Sequence, residues 1–426
     1  PDRRAHPVSL VNTADNVSDK RRQRAYRRRR GKRYASRAAL RRVTKQDRLR
    51  ACGARPVSRD GVLLRANTHG HAHYAGVQTC GSPWICPVCG PKIRQQRASE
   101  IVLAVQAHLA EGGQLYTSMF TFPHDLGDDL AKAWNTLRDG FRACISGRAW
   151  VKDRQRFGII GYIRSTEITY GENGWHPHAH ILWFFKGSLD QNAEQEFRAC
   201  LYGRWTRFVE KCGFRSPRSD LMKLSPVRHP TEISDYLVKT GFCGDDGANV
   251  PRQVGLEMAR HDLKKGRQKG RTPMQMVQDY LDDPVGRVKD LALWYSFEEV
   301  SKGKRSIDWS RDYSVEPTLK PGNKRRSRPS LKARFNLLER TDEELAEEAV
   351  SGADLHQLSY TEWGLVTAIE RQHVLLEVAE DFGKAGVLFY LGFLVEHFQD
   401  TGDLSGVEAL DRQLRTAGLV TGAGCG

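Results

Sequence analysis

The stretch that decides the fold covers residues 157–185 and reads FGIIGYIRSTEITYGENGWHPHAHILWFF. Two runs rich in β-branched and aromatic residues, 157–170 and 178–185, favour β-strands. Between them, Gly171-Glu172-Asn173-Gly174 is a turn sequence typical of an antiparallel hairpin. We therefore predict a long β-hairpin at the centre of the fold.

The flanking sequence adds strands and helices on both sides of this hairpin. We expect strands at 115–122 and 222–227, and helices at 128–145, 191–212 and directly after His229-Pro230. The resulting order, β-α-β-β-α-β-α, predicts an α+β fold with a central antiparallel sheet flanked by helices, which we expect to pack on one face of the sheet.

The 426 residues are enough for more than one core, and shifts in composition divide them into six segments. We expect a basic disordered arm at 1–50, a Cys-rich zinc-binding segment at 51–99, an α+β core at 100–245, a helical extension at 246–315, a basic linker at 316–335 and a C-terminal helical region at 336–426.

The composition indicates an acidic partner and a location in the cytoplasm. The formal net charge is +16, and residues 1–50 hold 18 Lys or Arg against 4 Asp. Such a segment is either a solubilising leader or an arm that binds nucleic-acid phosphates without reading sequence. No run reaches the roughly 18 apolar residues of a membrane span, and none is typical of a signal peptide. We therefore expect a cytoplasmic protein without membrane contact.

The histidines of the hairpin have the spacing of a metal site. Side chains alternate along a strand, so His176, His178 and His180 share one face. Imidazole binds divalent transition metals, and it tolerates manganese or magnesium when a carboxylate assists. Glu167 falls opposite His178 or His180, although its face depends on the register. The third ligand is therefore Glu167 or His176; a surface histidine cluster is the alternative.

A tyrosine follows on a predicted helix. Glu232, Tyr236 and Lys239 are spaced i, i+4, i+7 and share one stripe of that helix. A phenol with a pKa near 10 is a weak nucleophile at neutral pH. A nearby cation such as Lys239 lowers that pKa, and a metal ion polarises the electrophile. Read alone, a residue such as Tyr236 is more often a core or surface tyrosine than a nucleophile.

Four of the nine cysteines predict a structural zinc site rather than a disulfide framework. The predicted ligands are Cys52, Cys80, Cys86 and Cys89. Rivals for the fourth position are His69, His71 and His73. Four thiolates make a closed tetrahedral Zn²⁺ site that contributes folding energy and leaves no position for catalysis. Reduced cysteines without metal are the alternative.

Together these motifs resemble the HUH endonuclease superfamily, through His178-Ala179-His180 and Tyr236-Leu237-Val238-Lys239. More narrowly, residues 50–310 resemble the single-tyrosine replication initiators of small Gram-positive rolling-circle plasmids. The matching segments are Cys80–Cys89, Glu167–Tyr170, Gly174–His178 and Lys264–Arg267. The segment Ser118–Pro123 departs from that family's Thr-Leu-Thr segment, so no role is carried over to its threonines.

The resemblance implies a metal-dependent nickase. In that family Mg²⁺ or Mn²⁺ at the histidines polarises the scissile phosphate, and the residue matching Tyr236 attacks it. The products are a 5′-phosphotyrosyl adduct and a free 3′-hydroxyl primer, and a glutamate at the place of Glu232 is thought to activate water at termination. The implied partners are single-stranded or supercoiled origin DNA and the host helicase and replication machinery. Both a monomer and a dimer remain open.

Two other functions remain open. A relaxase or a single-strand transposase of the HUH type uses the same chemistry on another substrate. Relaxases usually place the tyrosine ahead of the histidine motif, whereas Tyr236 follows it. A zinc-dependent DNA-binding regulator without catalysis is the alternative from another class, and nicking of a supercoiled plasmid separates it from the enzymes.

Overall fold

A computed structural model of the chain describes residues 13–67, 70–227, 270–319, 326–347, 352–396 and 405–416. The chain divides into two units. The central unit comprises residues 81–85 and 89–345, and the terminal unit comprises residues 1–80, 86–88 and 346–426. Each unit has its own sheet and its own apolar core.

The helices, in chain order, are α1 (Thr13–Val43), α2 (Asp47–Ala51), α3 (Cys89–Ala110), α4 (Leu130–Cys144), α5 (Gly147–Arg156), α6 (Gln191–Lys211), α7 (Pro273–Asp282), α8 (Val288–Ser301), α9 (Leu331–Arg334), α10 (Asp342–Ala346), α11 (Tyr360–Ala368), α12 (Gln372–Leu394) and α13 (Ser405–Thr416). The strands are β1 (Val62–Asn67), β2 (Ala72–Ala75), β3 (Gln114–Phe120), β4 (Ile159–Gly171), β5 (Gly174–Phe185), β6 (Leu224–Pro226), β7 (Ile307–Trp309), β8 (Thr318–Leu319), β9 (Arg326–Ser327) and β10 (Gly352–Leu358).

The predicted hairpin is the centre of a five-stranded antiparallel sheet, with the order β6-β3-β5-β4-β7. Gly171 pairs with Gly174 across a two-residue turn. Gly174 has a φ of +84°, and a Cβ at this position would lie 3.0 Å from Cα of Leu126, so the turn requires glycine there. The predicted α+β class with an antiparallel sheet is confirmed.

Helices cover both faces of this sheet. On one face, α4 and α6 bury Phe141 and Trp205 against odd-numbered β5 residues such as Trp183. On the other face, α3 packs on even-numbered β5 residues, Leu182 and Phe184. Our expectation of helices on a single face is therefore wrong, because the even-numbered residues of β5 are also apolar beyond the histidines and are buried against α3. The histidines at 176, 178 and 180 continue the even-numbered row beyond Leu182.

The prediction of a disordered arm is wrong for residues 13–50, most of which form helices α1 and α2 of the terminal unit. Helix α1 and helix α12 belong to the unit whose sheet has the order β10-β1-β2. Arg27 Nη1 and Nη2 each donate to Asp381 at 2.7 Å, and Arg30 Nη1 donates to Glu380 at 2.6 Å. Both arginines are at most 6% exposed. The composition suggested disorder because these acidic partners lie some 350 residues away in the chain.

Two further expectations about the second half of the chain need correction. Gly352–Leu358, inside the predicted helical region, is strand β10, which pairs with β1. The predicted basic linker at 316–335 is not a free linker at its end, because Lys332 is buried against α3. Nζ of Lys332 donates to Glu100 at 2.8 Å, and both side chains are buried. A buried lysine is stable only when paired, as it is here. None of the described helices is long and apolar enough to cross a membrane.

Candidate metal centres

The register of the hairpin brings Glu167 together with two of the predicted histidines. Glu167 pairs directly with His178 across the ladder, and Ser165 pairs with His180. Residues directly opposite each other lie on the same face of a sheet. Glu167 Oε2 lies 3.0 Å from Nε2 of His178 and 3.4 Å from Nε2 of His180.

These three side chains have the geometry of a divalent-metal site. Their ligand atoms all lie within 4.8 Å of one another. Bonds of about 2.1 Å to one ion place neighbouring ligand atoms about 3–3.4 Å apart, which matches the distances found here. Glu167 and His178 are only 4% and 8% exposed. Two imidazoles and one carboxylate suit a divalent ion and leave coordination positions for water or a substrate oxygen.

His176, the other candidate for the third ligand, lies outside this group and contacts a histidine that we did not predict. Nδ1 of His176 is 2.7 Å from Nε2 of His124, and Nδ1 of His124 is 2.7 Å from the carbonyl oxygen of Asn173. A carbonyl only accepts, so Nδ1 of His124 carries a hydrogen and, in the neutral ring, Nε2 accepts from His176. Burial, with smaller contributions from His178 and His124, lowers the pKa of His176 to about 3.

The four predicted cysteines form a second group. Their Sγ atoms all lie within 4.8 Å of one another, and each residue is at most 6% exposed. The Sγ atoms of Cys52 and Cys86 are 3.8 Å apart. A tetrahedral zinc site with Zn–S bonds of about 2.3 Å places its sulfur atoms about 3.8 Å apart. The donor set and its spacing therefore fit zinc.

Of the rival histidines, His71 and His73 are described by the structure, and neither is part of this cysteine group. Nδ1 of His71 lies 3.9 Å from Oε1 of Glu380. His73 lies on strand β2, and His69 falls outside the described residues.

Tyr236, Glu232 and Lys239 lie outside the described residues, as does the basic Lys264–Arg267 segment. The flanks of the undescribed stretch are attached to the central sheet. The amide of Val227 donates to the carbonyl of Leu115, next to β3. At the other end, Arg271 and Tyr170 exchange two backbone hydrogen bonds, three residues beyond Glu167 on β4.

Two curated Streptomyces proteins are similar to the chain. "Protein rep" of Streptomyces lividans is 28% identical over 309 residues, which cover 59% of this chain and 66% of the relative. "Neomycin resistance protein" of Streptomyces cyanogenus is 33% identical over 301 residues, which cover 60% of this chain and 68% of the relative. The chain therefore spans about two thirds of the length of each. No family model matches the chain, and no solved structure matches it.

Proposed function

Because the chain belongs to one family with the Streptomyces cyanogenus protein and is similar to the Streptomyces lividans protein, we propose that it is a rolling-circle plasmid replication initiator with an HUH-type nuclease core. It nicks one strand of origin DNA, retains the 5′-phosphate on Tyr236 and releases a 3′-hydroxyl that primes synthesis. The name of the Streptomyces lividans relative supports the replication role. Neomycin resistance belongs to the name of the Streptomyces cyanogenus relative and is not carried over to this chain.

The convergence of Glu167, His178 and His180 on one face of the sheet carries this proposal. An Mg²⁺ or Mn²⁺ ion held by these residues would polarise the scissile phosphate. The carboxylate supplies negative charge to hold the ion, and the two neutral imidazoles supply nitrogen ligands without adding positive charge beside the DNA. A DNA-binding regulator without catalysis has no need for such an open site.

Tyr236 supplies the nucleophile. Its phenolate oxygen attacks phosphorus, the bond from phosphorus to the 3′-oxygen breaks, and the departing oxygen takes up a proton. Lys239 lies about one helical turn further along the predicted helix, and its positive charge favours the phenolate. The flank at Arg271 pairs with Tyr170, three residues beyond Glu167 on β4, which supports the delivery of Tyr236 to the metal face.

Glu232 has a separate role at the end of a round of replication, when the phosphotyrosyl bond must be hydrolysed. Its carboxylate accepts a proton from water, whose oxygen attacks the phosphotyrosyl phosphorus and releases Tyr236. Glu232→Ala is then expected to nick normally but to give products longer than one plasmid unit. Unwinding falls to a host helicase, because the sequence contains no Gly-x-x-x-x-Gly-Lys-Ser/Thr loop.

Helix α1 provides the contact with DNA phosphates. Arg27 and Arg30 point inward to acidic partners, whereas Arg24, Arg28 and Lys32 are exposed. These three are spaced i, i+4, i+8 and therefore form one cationic row. Such a row binds the DNA backbone without reading sequence.

The test is formation of a covalent protein–DNA adduct. Single-stranded oligonucleotides tiling the DNA around the chain's own gene are incubated with the protein and Mn²⁺, and adducts are detected on denaturing gels. We expect one oligonucleotide to be cleaved, and the adduct to disappear with EDTA and in Tyr236→Phe, which removes only the phenolic oxygen.

The matched control is Tyr360→Phe, because Tyr360 is 63% exposed and belongs to the terminal unit. This variant should form as much adduct as the wild type. An adduct that persists in Tyr236→Phe would show that another residue is the nucleophile. Binding of the oligonucleotides without any cleavage would favour the DNA-binding regulator instead.

A further inference from the structure

Nδ1 of His178 and Oγ1 of Thr121 are two of the buried polar atoms near the histidine face for which no hydrogen bond is found within the described residues. Their residues are 8% and 7% exposed, respectively. Buried polar groups in folded proteins are nearly always hydrogen-bonded, so each of the two needs an explanation. One atom can donate and the other can accept.

The register places the two residues next to each other. In the β3–β5 ladder Met119 pairs with His180 and Phe120 pairs with Ala179. Continued by one residue, this pairing puts Thr121 opposite His178. The alternation of faces supports the continuation, because Phe120 and Phe122 both lie in the core under α4 and α6. Thr121 therefore lies on the opposite face, with the histidines.

The ring of His178 already has a defined orientation. Its Nε2 faces Glu167, so Nδ1 is the nitrogen that points away from the metal group. A histidine that binds a metal ion through Nε2 carries its hydrogen on Nδ1, and that N–H is almost always donated to a second residue, which fixes the ring. Ser118 on the same strand already accepts from Nε1 of Trp183 at 2.8 Å, on the opposite face.

We infer that Thr121 is a positioning residue of the metal centre: its hydroxyl accepts a hydrogen bond from Nδ1 of His178 when the ion is bound. This hydrogen bond requires the hydroxyl to rotate about χ1 to another staggered position. This inference rests on the proposed metal binding of Glu167, His178 and His180.

The experiment compares Thr121→Val with the wild-type chain. Valine keeps the shape and removes the hydroxyl, which makes no hydrogen bond to a described residue. In EDTA we expect the melting temperature to be unchanged or higher. In Mn²⁺ titrations by calorimetry we expect affinity to fall about tenfold or more, the range found for residues that orient metal ligands. Thr121→Ser should restore most of the affinity.

Thr206→Val is the matched control, since Oγ1 of Thr206 on α6 is also buried without a hydrogen-bond partner within the described part of the chain. It should bind Mn²⁺ as the wild type does. Wild-type affinity in Thr121→Val would overturn this inference alone, whereas absence of Mn²⁺ binding by the wild type would overturn the proposed centre as well. If Thr121→Val does not fold, Thr121→Ala gives the same comparison.

Discussion

Oε2 of Glu167 lies 3.0 Å from Nε2 of His178, its direct neighbour across the β4–β5 ladder. Because both side chains are buried, we expect the negative charge of Glu167 to be the main source of affinity at the proposed metal site. We expect Glu167→Gln, which keeps the size and removes the charge, to bind Mn²⁺ at least about tenfold more weakly. Calorimetric titration measures this. Glu172→Gln, at the exposed hairpin turn, should bind normally, and equal affinity in both variants would remove Glu167 from the site.

The cysteine group should retain one zinc ion through purification. We expect Cys86→Ser and Cys89→Ser to lose this zinc and to melt at lower temperature, because a structural zinc ion contributes folding energy. Cys200→Ser is the control, since Cys200 lies outside the group. Elemental analysis and thermal unfolding provide the two measurements. Equal zinc content in all three variants would contradict the assignment.

The lowered pKa of His176 predicts how the free energy of unfolding of the metal-free protein depends on pH. Its folded-state pKa of about 3 lies below the ordinary value of 6.5. As the pH falls below 6.5, the unfolded chain takes up the proton first, so stability is lost between pH 6.5 and about 3 and is unaffected above 6.5. The loss is at most about 1.4 kcal/mol per pH unit. Urea unfolding in EDTA should give a flatter profile for His176→Gln, and parallel profiles would show that His176 does not cause the loss.

The exposed row of α1 should set the salt dependence of DNA binding. Each phosphate contact contributes about 0.9 to the slope of log affinity against log salt concentration. Replacing Arg24, Arg28 and Lys32 by glutamine should therefore reduce that slope by about 2–3, measured by fluorescence anisotropy on duplex DNA. Arg42→Gln is the control, because Arg42 is exposed but already paired with Glu370 at 2.9 Å. An unchanged slope in the triple variant would exclude α1 from the DNA interface.

The hairpin and its site were predictable because their determinants are local. The turn sequence marks the hairpin, and strict alternation determines which histidines share a face. The sequence could not choose between Glu167 and His176, because it leaves the register of the hairpin open and a shift of one residue moves every side chain to the other face. Nor could it reveal His124, which comes from a loop 52 residues before His176 and has no recognisable spacing to it.

The terminal unit was poorly predicted because its partners are distant in sequence. Arg27 and Arg30 looked like solvated charges, and only the fold brings Glu380 and Asp381 to them. Likewise, Gly352–Leu358 has little β propensity of its own and is a strand because it pairs with β1. In both cases tertiary context overrides the local sequence preference.

The pairing of Arg30 with Glu380 has a consequence for synthesis of the chain. The two residues are separated by 350 positions, and the whole central unit lies between them. At ribosomal rates of about 5–20 residues per second, roughly 20 to 70 s pass between the synthesis of α1 and the synthesis of its acidic partners. During this interval a strongly cationic segment is exposed beside messenger and ribosomal RNA, while the central unit can already fold. In nascent chains, the central unit should therefore become protected from protease first. Helix α1 should become protected only after the chain has been released from the ribosome.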